Sequence, residues 1–181
     1  IGCSWLAAEV LRRLSGQGIE LALITEPEDK LAKAAAEELG VPHCVKPRRL
    51  PLLSADFPWR PDLIVSAHSL RIVPAWFLQW SRLGAISYHP SILPDYKGQH
   101  AIRDCLANGG RFTGGTVYWM TPEIDAGPAV VAYGKRLQER VQILPGETAL
   151  GLWKRALAPI GANLLEAAVR SVSFTALSNA L

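Results

Sequence analysis

Three short stretches of this chain set side chains that can hold or move a proton among apolar neighbours. Ser87-Tyr88-His89 closes an apolar run and leads straight into Pro90-Ser91-Ile92-Leu93-Pro94. Asp125 sits in the turn-rich Thr121-Pro122-Glu123-Ile124-Asp125-Ala126-Gly127, and Arg71 follows another apolar run. Histidine and carboxylate side chains are common choices for general acid–base chemistry near neutral pH. A simple turn needs no imidazole, and Pro90 and Pro94 stiffen the chain that leaves His89. Taken singly, each residue also has an ordinary reading. His89 could be a satisfied strand-end histidine, Asp125 a turn residue, and Arg71 the partner of a surface carboxylate. His43, His68 and His100 read the same way, and with no close ligand pair a metal site is not expected.

The elements that must position these residues alternate along the chain. Ile19–Thr25 reads as a buried strand, Lys30–Gly40 as an alanine-rich helix stopped at its glycine, and His43–Val45 as a short strand. Asp62–Ala67 is a strand, Pro74–Trp80 a helix with proline in its first turn, and Gly84–His89 a strand again. Such an order predicts an α/β, Rossmann-like, doubly wound and mostly parallel sheet with helices on both faces. Gly114–Met120 and Pro128–Leu137 are expected as extra C-terminal strands appended to the parallel core. Thr148–Val172 is expected as a long helix kinked at Pro159. Lys46–Pro61, with its four prolines, reads as a loop.

At the start, Ile1 reads as the end of a strand, Gly2 as a tight turn and Ser4 as the cap of the next helix. The first strand of the fold is expected to precede Ile1. Residues 1–181 are expected to form one domain. In open parallel sheets, ligands bind beyond the carboxyl ends of the strands, where all three proton-handling stretches fall.

A hydrophobic content of 49% with 19% charged residues belongs to a folded globular chain. The net charge of +3 comes with no long basic run interleaved with aromatics, so nucleic acid is not the expected partner. Three cysteines, far apart and without a C-x-x-C pair, suggest neither a disulfide framework nor zinc. With no apolar run of membrane-spanning length and no recognisable signal peptide, a cytoplasmic location is expected.

The stretch Ser87-Tyr88-His89-Pro90-Ser91-Ile92-Leu93-Pro94-Asp95-Tyr96-Lys97-Gly98 resembles the hallmark Asn-x-His-Pro-Ser-Leu-Leu-Pro-x-Tyr-x-Gly of the folate-dependent formyltransferases. The family's Thr-Val-His strand is matched by Thr116-Val117-Tyr118, and its Asp-x-Gly-Pro by Asp125-Ala126-Gly127-Pro128. Leu70-Arg71-Ile72-Val73 is similar to its pterin-binding segment. The resemblance implies an enzyme that moves a formyl group from 10-formyltetrahydrofolate to a small-molecule amine. It implies His89, Asp125 and Ser87 as catalytic residues, with Ser87 in the family's Asn position. Leu70, Arg71, Ile72 and Val73, with Thr121, Pro122, Glu123 and Ile124, would bind the folate, Arg71 mainly through main chain.

Cys3, Ser4 and Trp5 would face the acceptor, in place of a glycine-rich phosphate loop, and helix N-terminal amides there could still take an anion. Attack by an amine on the formyl carbon generates an oxyanion that needs preorganised donors. A protonated His89 would supply one, with Asp125 favouring that state and relaying the amine proton. Rival readings are a 10-formyltetrahydrofolate hydrolase and a folate-binding protein whose catalysis is impaired by Ser87.

Overall fold

A computed structural model describes residues 1–178. The chain forms two compact units, Ile1–Ala85 and Ile86–Leu181.

The first unit is the parallel α/β half. Strands β1 (Leu23–Thr25) and β2 (His43–Val45) pair in parallel, with Ile24 opposite Cys44. Residues 1–3 run along the other side of β1, where Gly2 N–H donates to Ile24 O at 3.1 Å. Gly2 also bridges in parallel to Ala67, just past β3 (Ile64–Ser66). Of the apolar run Ile19–Thr25 only the last three residues are strand, because β2 offers only three partners.

Helix α1 (Ser4–Leu14) buries Leu6, Val10, Leu11 and Leu14, a stripe at helical spacing. Helix α2 (Lys30–Glu38) buries Ala32, Ala35 and Ala36 and ends just before Gly40, as expected. Ser4 does not cap α1. Cys3 holds the cap position, while Ser4, at φ 65°, gives its N–H to Asp29 Oδ2 at 3.0 Å. Asp29 is fixed there because Thr25 Oγ1 donates to the same oxygen and its other oxygen caps α2. The loop from Lys46 to Pro61 contains one helical turn (Ser54–Asp56) and is anchored on α3 (Ala75–Trp80) by Phe57, 4.7 Å from Phe77.

The second unit is the antiparallel half. Strand β4 (Ala85–His89) pairs with β5 (Phe112–Trp119), and β5 with β8 (Gln138–Gln142), antiparallel in both cases. Between them lies α4 (Ala101–Ala107). The single strand expected over Pro128–Leu137 is instead a hairpin of β6 (Val131–Ala132) and β7 (Lys135–Arg136). Tyr133 and Gly134 both have positive φ there, the conformation a two-residue hairpin turn requires.

The C-terminal helical region starts at α5 (Ala149–Leu152) and continues through a π-helical segment, Trp153–Leu157, into α6 (Ala158–Ser178). The irregularity expected at Pro159 thus falls on the preceding turn. Proline has no N–H for the ladder, and its ring crowds the carbonyl four residues back, so that turn is wound wider.

Alternation along β4 sorts its residues between two faces. Tyr88 points to the face covered by α6, where its hydroxyl donates to Leu157 O at 2.6 Å. A Cβ on Gly115 would come within 2.4 Å of the Tyr88 ring and one on Gly161 within 2.8 Å. Both close approaches therefore require glycine. Ser87 and His89 point the other way. Among the described residues, no helix is long and apolar enough to cross a membrane.

Candidate active site

His89, the last residue of β4, is buried at 6% exposure. Its Nδ1 lies 3.3 Å from Asp125 Oδ2, and its Nε2 lies 2.7 Å from the Tyr96 carbonyl. A carbonyl and a carboxylate only accept, so the arrangement is fully satisfied when both ring nitrogens carry hydrogen. The loop after β4 folds back to make this possible. Ser91 Oγ donates to Asp95 O, Leu93 N–H to Thr116 Oγ1, and Thr116 Oγ1 to Ser91 O, which ties the loop to β5. Gln138 on β8 donates to Leu93 O.

Asp125 stands in the turn after β5 at φ 50°, a left-handed conformation that Asp tolerates better than most residues. Three donors converge on its carboxylate. Gly98 N–H reaches Oδ2 at 2.7 Å, Tyr118 Oη–H reaches Oδ1 at 2.7 Å, and His89 Nδ1 faces Oδ2. A largely buried carboxylate is tolerable when its acceptor sites are filled in this way.

Tyr118 is the site residue that the sequence reading passed over. It lies directly opposite Ser87 in the β4–β5 register, on the face of the pair that carries His89. Burial raises the Tyr118 pKa, and the bond to Asp125 and its charge add to this, while the Ser87 hydroxyl works the other way. Tyr118 therefore keeps its proton at neutral pH. The signal available in the sequence was its place in Thr116-Val117-Tyr118, where the resembling family has histidine.

The remaining candidates lie as follows. Thr121, Pro122, Glu123 and Ile124 lead into Asp125, and Thr121 Oγ1 donates to Glu123 O. In the first unit, Leu70 and Ile72 are exposed and Val73 half-buried. The Arg71 side chain does not pair with a surface carboxylate. It is buried, and its guanidinium donates to the carbonyls of Lys46, Pro47, Arg48 and Leu50 at 2.6–3.2 Å. It clasps the proline-rich loop. Cys3 Sγ donates to His68 O, and burial, helped by Asp29, pushes its thiol up to about 11. Trp5 is partly exposed, and the first N–H of α1 is already taken by the Asp29 carboxylate.

A strand-end histidine paired with a carboxylate that also accepts from a tyrosine hydroxyl defines an enzyme-like site for acid–base chemistry. Residues 53–168, more than half of the chain, match the formyl transferase family. The chain belongs to that family. Methionyl-tRNA formyltransferase of Thermotoga neapolitana is 33% identical over 171 residues, covering 87% of this chain and 52% of the relative. GDP-perosamine N-formyltransferase of Brucella melitensis is 33% identical over 98 residues, covering 54% of this chain and 36% of the relative. The crystal structure of phosphoribosylglycinamide formyltransferase from Anaplasma phagocytophilum superposes with a TM-score of 0.75 at 23% identity, covering 93% of this chain and 81% of that one. It shares the Rossmann-like fold expected from the sequence. The chain spans about half the length of these curated methionyl-tRNA formyltransferase relatives.

Proposed function

We propose that the chain transfers a formyl group from 10-formyltetrahydrofolate to the amine of a small-molecule acceptor. The observation that carries this reading is the buried His89–Asp125 pair with Ser87 and Tyr118 beside it. Bound, the donor supplies a formyl carbon open to nucleophilic attack. The Nε2–H of His89, held in place by the Tyr96 carbonyl, is the donor placed to share its hydrogen with the oxyanion. Asp125 holds the imidazole through Nδ1 and is the nearby base.

The folate segments carry suitable side chains: Leu70 at 52%, Ile72 at 80% and Ile124 at 62% exposure present apolar surface that an aromatic ring system can cover. We assign Leu70–Val73 and Thr121–Ile124 to the folate, mainly through backbone, and Cys3, Ser4 and Trp5 to the acceptor. The Asp29 carboxylate at the start of α1 favours an acceptor without a phosphate at that point.

The test is release of tetrahydrofolate from 10-formyltetrahydrofolate across a panel of amino sugars, amino acids and aminonucleotides. Release that depends on one class of amine is expected. Release at the same rate without amine would mark a hydrolase, and calorimetric binding without release would mark a folate-binding protein. Neither binding nor release at millimolar folate would end the reading.

A further inference from the structure

We propose that a cavity in the second unit, apart from the His89–Asp125 pair, binds a free α-amino acid with an apolar side chain, and that this ligand steadies the loop that orients His89. The cavity measures about 290 Å³. It is lined by Ile92, Asp95 and Tyr96 of the loop after β4, by Phe112 and Thr113 at the start of β5, and by Arg140 on β8. A glycine makes the room. Gly114 lies opposite Arg140 in the β5–β8 register, and a Cβ on it would come within 2.4 Å of Ile92 Cδ1. With no side chain opposite, Arg140 leans across to Phe112, its guanidinium carbon 4.2 Å from the ring centroid. The ring takes the face of the guanidinium and leaves its N–H edge for other partners.

Two opposite charges stand at this cavity without partners. Among the described residues, neither the Asp95 carboxylate nor the Arg140 guanidinium has a hydrogen bond or an ion pair, with each other or with any other group. A guanidinium edge takes a carboxylate through two parallel N–H···O bonds, and a carboxylate takes an ammonium. The two charges also reject ligands. Asp95 repels a simple anion and Arg140 a simple cation, whereas a molecule carrying both charges suits both. Ile92, Tyr96 and Phe112 offer apolar surface to its body. Ligand pockets start at about 300 Å³, so this volume suits an amino acid better than a nucleotide. The link to the active site is the backbone of the same loop. Asp95 O accepts from Ser91 Oγ, and Tyr96 O lies 2.7 Å from His89 Nε2. Tyr96 sits at φ 52°, a left-handed conformation that a bulky residue keeps only under restraint. A ligand gripped by Asp95 and packed on Tyr96 adds restraint at that point and steadies the carbonyl on Nε2.

The site is tested on the full chain by calorimetry with L-valine, L-leucine, L-methionine and L-phenylalanine, and with leucinamide and 4-methylpentanoate as controls. No folate is involved, so the outcome does not depend on the formyl-transfer reading. At least one of the four amino acids should bind with a millimolar Kd or tighter. Leucinamide lacks the carboxylate and 4-methylpentanoate the ammonium, so each should bind at least about tenfold more weakly than L-leucine. Arg140→Ala and Asp95→Asn, both at exposed positions, should melt as the wild type does and weaken amino-acid binding by about 10–100-fold. The ring ¹⁵N signals of His89, assigned by their loss in His89→Gln, should move when the wild type is saturated and stay in place in Arg140→Ala. No binding of any of the four at tens of millimolar would overturn the site. So would binding that both variants leave unchanged, or leucinamide and 4-methylpentanoate binding as tightly as L-leucine. Binding at the cavity that leaves the His89 signals in place would refute its hold on the loop.

Discussion

Asp125→Asn separates the two things that this carboxylate does. It accepts from Gly98 N–H, Tyr118 Oη–H and His89 Nδ1, and it sits at φ 50°, where asparagine is as well accommodated as aspartate. The amide can place its oxygen toward Gly98 and His89 and its nitrogen toward Tyr118, whose hydroxyl then turns to accept. Every contact has a partner in that arrangement, so the cost is the difference between charge-assisted and neutral hydrogen bonds, about 2 kcal/mol in all. For a domain of this size the melting temperature should fall by about 4–8 °C. A domain with about 5 kcal/mol of stability would still be about 99% folded. The chemical step loses its base and the charge that holds the imidazole. General acid–base groups are worth about 10²–10⁴-fold, so kcat should fall by that factor, far beyond what unfolding can explain. Donor Kd should change little, because the folate contacts proposed here are mainly backbone. Turnover, calorimetric Kd and thermal melts on the two proteins settle it. If kcat stays within threefold of wild type, Asp125 is a turn residue and the mechanism fails.

The Arg71 clasp predicts that Arg71→Lys loosens the loop over residues 46–50, since one ammonium group cannot reproduce a planar fork bonded to four carbonyls. Hydrogen exchange of amides 46–57 should accelerate, and global stability should drop by about 1–3 kcal/mol. Glu147 gives a pH signature. Arg155 above all, with Leu144 N–H assisting and burial opposing, holds its carboxyl down from 4.5 to about 2. A depressed carboxylate stabilises the fold fully above its unfolded pKa and loses that contribution as pH falls. The gap in melting temperature between wild type and Glu147→Gln should therefore be open at pH 6 and close between about pH 4.5 and 2. An equal gap at all pH values would show that the pairing with Arg155 does not stabilise the fold.

Where sequence patterns are local, they translate directly into structure. Helix α2 carries an alanine stripe and ends just before Gly40, and β2 coincides with the short strand expected over His43–Val45. Strand β8 escaped notice because its side chains alternate irregularly between exposed and half-buried, so no apolar period marks it. The hairpin of β6 and β7 hid in an apolar run whose turn residues, Tyr133-Gly134, are not among the commonest turn pairs. His89 and Asp125 were legible through a long motif. Tyr118 was not, since its importance depends on the β4–β5 register that sets it opposite Ser87. Arg71 was legible as a position but not as a clasp, because all four of its acceptors are main-chain atoms, and main-chain carbonyls leave no trace in a sequence.

The two prolines after His89 become intelligible from the atoms that this loop contributes. A histidine at a strand end can swing about χ1 and χ2, and a carboxylate alone would fix only one of its nitrogens. The loop supplies the second restraint from its own backbone, the Tyr96 carbonyl on Nε2, and two residues later the Gly98 N–H holds the Asp125 oxygen that faces Nδ1. One short segment thus orients both members of the pair, and it does so only if its path is fixed. Pro90 and Pro94 restrict that path locally, while the bonds of Ser91, Thr116 and Gln138 tie it to β5 and β8. Preorganisation of this kind keeps donors aimed before charge develops, which is where electrostatic catalysis draws its advantage. The same geometry explains why the polar side chains cluster at the end of β4. Only there can a returning loop, the turn after β5 and the Tyr118 hydroxyl meet on one carboxylate.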